Sequence, residues 1–296
     1  MESVPNFSEG RRSDVVDDIV AAARSVEGVR ILDVHSDADH NRSVLSLAGE
    51  TAQLKEAVFR AIARATDLID LRAHTGEHPR LGATDVVPFI PLGDTPLRDA
   101  VTAAQELGQR VWNELQIPVY FYEDAALLRE RQNLETIRKG GFEELRDAIT
   151  SDDSRAPDVG ERAIHSSAGA IVIGARGPLI AYNIYLNTDD IRIAKAIAKR
   201  VRHSSGGLRF VKGLGLDIPA RGQVQVSMNL TNFRKTAIHT VFELVRSEAR
   251  AYGVSVVESE VVGLVPQEAL VDAARHYLQL HAFENQQILE SRLMSE

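Results

Sequence analysis

The strongest constraint in this 296-residue chain is an order of elements that occurs twice. A short extended start, Glu2–Asn6, is followed by a helix over Asp14–Val26 with Ser13 as its cap. Strands follow over Val29–Val34 and Ser43–Ala48. A helix over Thr51–Ile69 comes next, with Leu54, Val58, Ile62, Ala65 and Ile69 recurring at helical steps, and then a strand over Asp85–Pro91. A helix from Pro96 to Leu115 and a strand over Val119–Tyr122 extend this half. The second half opens on a strand at Ala170–Gly174 and then repeats the grammar. A strand at Leu179–Leu186 precedes a helix from Asp189–Asp190 to His203. Strands follow at Leu208–Leu216 and Gln223–Leu230, then a helix at Phe233–Tyr252 and a strand at Val254–Val262. Each half reads β-α-β-β-α-β, the ferredoxin-like or split-βαβ unit. The expected fold is therefore α/β (α+β): two ferredoxin-like subdomains with mixed sheets and outer helices, over residues 1–160 and 161–296. Residues 123–168 read as a linker or binding loop rich in turn formers. The repeat is one of elements; no residue-level period accompanies it.

Composition narrows the chemistry. There is no cysteine and there are nine histidines, so thiolate nucleophiles, disulfides and Cys-ligated metals are excluded. The formal charge of −8 argues against nucleic acid as a partner. The start, MESVPNFSEG, has no basic n-region and no apolar h-region, so a secretory signal is not expected, and no apolar run approaches the roughly 20 residues of a membrane span. A cytoplasmic protein without a membrane partner is the expectation.

Three polar clusters compete for function. Arg72–Arg80 (RAHTGEHPR) holds HTGEH, which fits the H-x-x-E-H zinc pattern. That pattern needs a helix to bring both histidines to one face, whereas Gly76 and Pro79 favour a loop. In a loop, Arg72, Arg80 and a histidine titrating near neutrality suit an anion-binding acid–base site equally well. The second cluster, His35–Arg42, carries Asp37, Asp39 and Asn41 at calcium-loop spacing. It has Arg42 where that loop needs glycine and Ala48 where it needs glutamate, and a turn accounts for it as well. The third, Gly160–Gly169 (GERAIHSSAG), is small and polar, as in a loop that lets a ligand approach the backbone. No dinucleotide or P-loop glycine pattern occurs.

Eight stretches, in order along the chain, together resemble the glutamate formiminotransferase family: VPNFSEGR (4–11), HNRSV (40–44), GEHPRLGATDVVPFIPL (76–92), PVYFYEDAA (118–126), APDVG (156–160), IGARGPLIAYNIYL (173–186), QVSMNL (225–230) and EVVGLVPQEAL (260–270). The resemblance implies two similar subdomains with folate between them. It implies transfer of a formimino group between N-formimino-L-glutamate and tetrahydrofolate, the co-substrate, giving 5-formiminotetrahydrofolate and glutamate in histidine degradation, with no metal. The family's catalytic acid–base histidine maps to His78. Its folate-contacting stretch maps to Gly160, Glu161, Arg162, Ala163, Ile164, His165, Ser166, Ser167, Ala168 and Gly169. Further substrate-binding candidates are His35, Asp37, Asp39, Arg42, Arg80 and Gln225: carboxylates to steer the amidine-like group, arginines for glutamate carboxylates. His35 stands where some relatives carry an acid. A homodimer and a separate cyclodeaminase are further implications, since the cyclodeaminase region of some members is not expected in this chain. The alternatives are a formyltransferase using 5-formyltetrahydrofolate, a non-catalytic folate-binding protein, and a metallohydrolase acting through HTGEH.

Overall fold

The computed structural model describes residues 1–38, 40–76 and 79–293. The chain forms two compact units, 1–176 and 177–296.

In the first unit, β1 (Glu2–Ser3) and β2 (Asn6–Phe7) form one interrupted strand. They are followed by α1 (Ser13–Arg24), β3 (Arg30–Asp37), β4 (Arg42–Ala48), α2 (Thr51–Leu68) and β5 (Thr84–Ile90). The interrupted strand lies between β4 and β5, antiparallel to both, and β3 flanks β4. Counted along the chain, the strands stand in the order 4-1-3-2. The α1 and α2 helices pack their apolar stripes on one face, around Ile19, Ala23, Leu54, Val58 and Ile62. Next come α3 (Leu97–Leu115) and β6 (Val119–Glu123), short helices α4 (Leu134–Ile137) and α5 (Gly141–Ala148), and β7 (Ile171–Ala175). The last of these, β7, inserts between β5 and β6, parallel to both.

The second unit contains β8 (Ile180–Leu186), α6 (Ile191–Val201), β9 (Val211–Ile218), β10 (Gln223–Leu230), α7 (Ile238–Ala251) and β11 (Val256–Val262), then α8 (Gln267–Leu278) and α9 (Leu289–Leu293). Its sheet runs β11-β8-β10-β9, every pairing antiparallel. In chain order this is again 4-1-3-2, so the repeated grammar produces a repeated topology.

Several expectations change. The strand near Ala170–Gly174 closes the first sheet rather than opening the second half. The unit boundary therefore lies at Arg176/Gly177 instead of 160/161. Only the first sheet is mixed, through β6 and β7; the second is wholly antiparallel. Residues 123–168 are not a free linker: Ile137, Leu145 and Ile149 pack on Val86, Tyr120, Tyr122 and Val172. The strand β3 runs on to Asp37, because Asp37 pairs with Arg42 across the hairpin, so His35 and Asp37 are strand rather than loop residues. Ser13 begins α1 without capping it. The buried Glu9 carboxylate instead accepts the Arg11 and Arg12 amides, both at 2.9 Å, just ahead of the helix. The long second-unit helix starts at Ile238 rather than Phe233. Among the described residues no helix is long and apolar enough to cross a membrane.

Candidate active site

Asn41 ties together three stretches that are far apart in sequence. It is the last residue of the turn linking β3 to β4, buried, with a left-handed φ of 48° that asparagine tolerates better than most side chains. Its Oδ1 accepts the Gly10 amide at 3.0 Å and its Nδ2 donates to the Thr75 carbonyl at 3.0 Å. Its own carbonyl accepts from His74 Nε2 at 3.1 Å. Arg11 adds a link from its Nε to the Ala38 carbonyl at 2.8 Å. The loop after α2 is thus pinned to the β3–β4 turn through backbone groups and needs close approach. A Cβ on Gly76 would stand 2.4 Å from the His40 carbonyl oxygen. Gly76→Ala is therefore expected to displace the loop, lowering kcat about 10-fold or more with a thermal midpoint near wild type; steady-state kinetics beside a melting curve checks both.

Asp85 holds the other end of that loop. It is fully buried, and its Oδ1 accepts the Leu81 amide at 2.9 Å. Its Oδ2 accepts from Arg42 Nη1 at 2.7 Å and from Arg138, the residue that ends α4. Burial pushes the carboxyl upward, but the two guanidiniums outweigh it and hold the pKa at about 2. Arg42 also donates to Asn6 Oδ1 at 2.8 Å. One carboxylate therefore fixes the start of β4, the end of the 72–80 loop and the α4 segment.

The loop itself has no helical structure at residues 74–76 or 79–80. The H-x-x-E-H match thus lacks the helix that would place its first histidine on a shared face. Glu77, His78 and Asp39 lie outside the described residues. Half-buried His74 has its pKa lowered, chiefly by burial and further by Arg80, against the opposing bond to Asn41. It is neutral near pH 7. Its Nε2 proton is given to Asn41, and Nδ1 keeps a lone pair with no partner among the described residues. Arg80 donates to the His74 carbonyl at 3.1 Å and to Glu143 of α5 at 2.8 Å.

The 160–169 stretch is knitted to the same loop. The Ser167 carbonyl accepts the Leu71 amide at 2.9 Å, Ala168 accepts the Ala83 amide at 2.9 Å, and the Ala170 amide donates to Leu81 at 3.0 Å. A tight turn is closed between His165 and Gly169, whose amides and carbonyls exchange bonds of 2.9 and 3.0 Å. Gly169 takes a φ of 73°, and a Cβ there would meet the Leu81 carbonyl oxygen at 2.2 Å. His165 Nδ1 accepts the Ala168 amide at 3.0 Å, so the neutral ring carries its proton on Nε2. Burial lowers the pKa of this ring as well. Glu161, Arg162, Ala163 and Ser166 are exposed, whereas Ala168 and Gly169 are buried behind the turn. Upstream, the shielded carboxylate of half-buried Asp158 accepts from the Phe121 amide and from Arg131 at 2.7 and 2.6 Å.

The structure thus brings Arg42, Arg80 and the 160–169 stretch into one hydrogen-bonded assembly. Asp37 accepts from the His40 amide at 2.9 Å and lies 2.7 Å from its Nδ1. His35, opposite Val44 on the edge strand, makes no side-chain hydrogen bond among the described residues. Gln225 lies on β10 of the second unit. Sequence reasoning missed Asn41, read as a turn former, and Asp85, read as a strand start. A lone aspartate beside the apolar run VVPFI was the available signal, since a buried carboxylate requires partners.

Comparison with known proteins places the whole chain. Residues 1–176 match the formiminotransferase domain, N-terminal subdomain, and residues 181–293 match the formiminotransferase domain. The chain is 46% identical over 295 residues to glutamate formimidoyltransferase of Streptococcus pyogenes serotype M1, covering 99% of this chain and 98% of that protein. It is 49% identical to glutamate formimidoyltransferase of Thermoplasma acidophilum, covering 99% and 97%. It is 42% identical over 282 residues to formimidoyltransferase-cyclodeaminase of Rattus norvegicus, covering 94% of this chain and 52% of that one.

Proposed function

Because the chain belongs to the formiminotransferase family, we propose that it is a transferase moving a formimino group between N-formimino-L-glutamate and tetrahydrofolate, with His78 as general acid–base. The observation that carries this reading is the Asn41 assembly. It holds the loop through Thr75 and His74 before His78, while Arg80 and the Asp85-bound Leu81 hold it after.

The formimino carbon passes from one nitrogen to another, so one proton must leave the attacking amine and one must reach the departing amine. His78 takes the first and returns it to the glutamate nitrogen, work suited to an imidazole titrating near neutrality. Tetrahydrofolate supplies the N5 amine, and the 161–166 edge, exposed at Glu161, Arg162, Ala163 and Ser166, offers polar contacts to it together with the His165 Nε2 proton. Of the two arginines considered for substrate carboxylates, Arg80 is the better placed. Its partner Glu143 is 56% exposed and replaceable, whereas Arg42 is bound to the fully buried Asp85. No metal takes part in this scheme.

Kinetics of the purified protein with formimino and formyl donors side by side test the assignment. A kcat/KM at least 10-fold higher for formiminoglutamate with tetrahydrofolate is expected. The reverse ratio would make it a formyltransferase, and tight folate binding without transfer from either donor would make it a binding protein.

A further inference from the structure

Strand β11 is the outer strand of the second unit's sheet, paired with β8 alone among the described residues. Alternate amides and carbonyls along its far side are therefore turned outward and bonded to no strand. Beside it α7 presents Phe242, Arg246 and Arg250, spaced four apart on one stripe. A cleft of about 460 Å³ lies between that stripe and residues 255–259. Five consecutive residues line it on the strand side, so the chain itself, not one row of side chains, forms that wall. Val257, the extra residue of a bulge against β8, is 49% exposed there.

Charge along β11 is divided between its two faces. Ser259 bonds the Tyr182 hydroxyl on the face that packs against α6 and α7. Glu258 and Glu260 lie on the other. Glu258 pairs with Arg221, which lies 4.3 Å above the Tyr185 ring, and Glu260 accepts the Tyr185 hydroxyl at 2.9 Å. The strand's carboxylates are thus drawn away from the cleft, while the helix supplies it with two guanidiniums. Arg246 is paired with Glu243 one turn back. The Arg250 guanidinium and the Ser255 hydroxyl have no partner among the described residues.

A strand edge with outward backbone groups, a basic helix stripe alongside and a cleft between them is the arrangement in which an extended peptide joins a sheet. We infer that this cleft receives an extended acidic segment of a partner chain, which adds to β11 as a fifth strand. Its backbone pairs with the open edge, and carboxylates on every second residue meet Arg246 and Arg250. The residues between them fall beside Glu258 and Glu260 and are neutral or basic, since like charges on neighbouring strands repel. At roughly 3.4 Å per residue, about five residues match the length of the cleft wall.

Fluorescence anisotropy with labelled pentapeptides and the full chain tests this. The alternating peptide Glu-Thr-Glu-Thr-Glu is expected to bind about 5-fold or more tightly than Glu-Glu-Glu-Thr-Thr, which carries the same charge but cannot place its acids on one face of a strand. Arg250→Gln should weaken the alternating peptide about 2- to 5-fold, and Arg246→Gln combined with it about 10-fold, the scale of exposed ion pairs. Both variants should melt near wild type. Amide hydrogen exchange across residues 258–262 should slow when the alternating peptide is present. No binding, equal binding of the two peptides, indifference to both arginines, or unchanged exchange along β11 overturns the inference. So does a dimer of the chain that protects β11 by itself and excludes the peptide, which would make a second copy the occupant.

Discussion

Replacing His78 by alanine is expected to lower turnover by about 10²–10⁴-fold, the range of a single general acid–base group, with reduced-folate affinity within a few-fold of wild type. The separation follows from the scheme: the imidazole moves a proton only during transfer, so its removal acts on kcat and not on ground-state binding. Stopped-assay kinetics and equilibrium binding on the same preparation give both numbers. An unchanged kcat would remove His78 from the mechanism and return attention to His74, whose Nδ1 has no hydrogen-bond partner among the described residues.

The second large effect lies at Asp85. Asp85→Asn keeps the shape but leaves Arg42 and Arg138 without the charge they share, and breaking a buried pair on one side costs about 3–5 kcal/mol. In a unit of this size that corresponds to a melting temperature lower by roughly 6–20 °C. The pH dependence gives an independent check. The folded-state pKa of about 2 lies below the ordinary 3.8. Asp85 therefore contributes stability that is fully present above pH 4 and is lost as pH falls from 4 toward 2. Wild type should lose stability across that window more steeply than Asp85→Asn. Acid titrations of the two, followed by circular dichroism, should diverge above pH 4 and converge near pH 2.

The helices were the most legible part of the chain. The helical period of Leu54, Val58, Ile62 and Ala65 marks α2 to within a residue, because one apolar stripe determines both the helix and the face it buries. Topology was legible through element order, since the same order gives the same 4-1-3-2 arrangement in both units. Local signals failed where distant partners decide the outcome. The last turn of β3 exists because Asp37 meets Arg42 across the hairpin. Likewise β7 joins the first sheet because of neighbours 52 or more positions earlier, which no local pattern near 171 reveals. The motif loops could be identified by resemblance. The groups that hold them could not, since Asp85 finds its arginines 43 and 53 residues away.

The insertion of β7 also bears on biosynthesis. Until residues 171–175 leave the ribosome, β5 and β6 cannot complete the first sheet, because the strand that separates them has not yet been made. For about fifty residues of synthesis after β6, two apolar edges face one another across an empty slot, a state open to mispairing. A fragment ending at 160 would be trapped there and should aggregate. One ending at 176 carries the missing strand and should stay in solution.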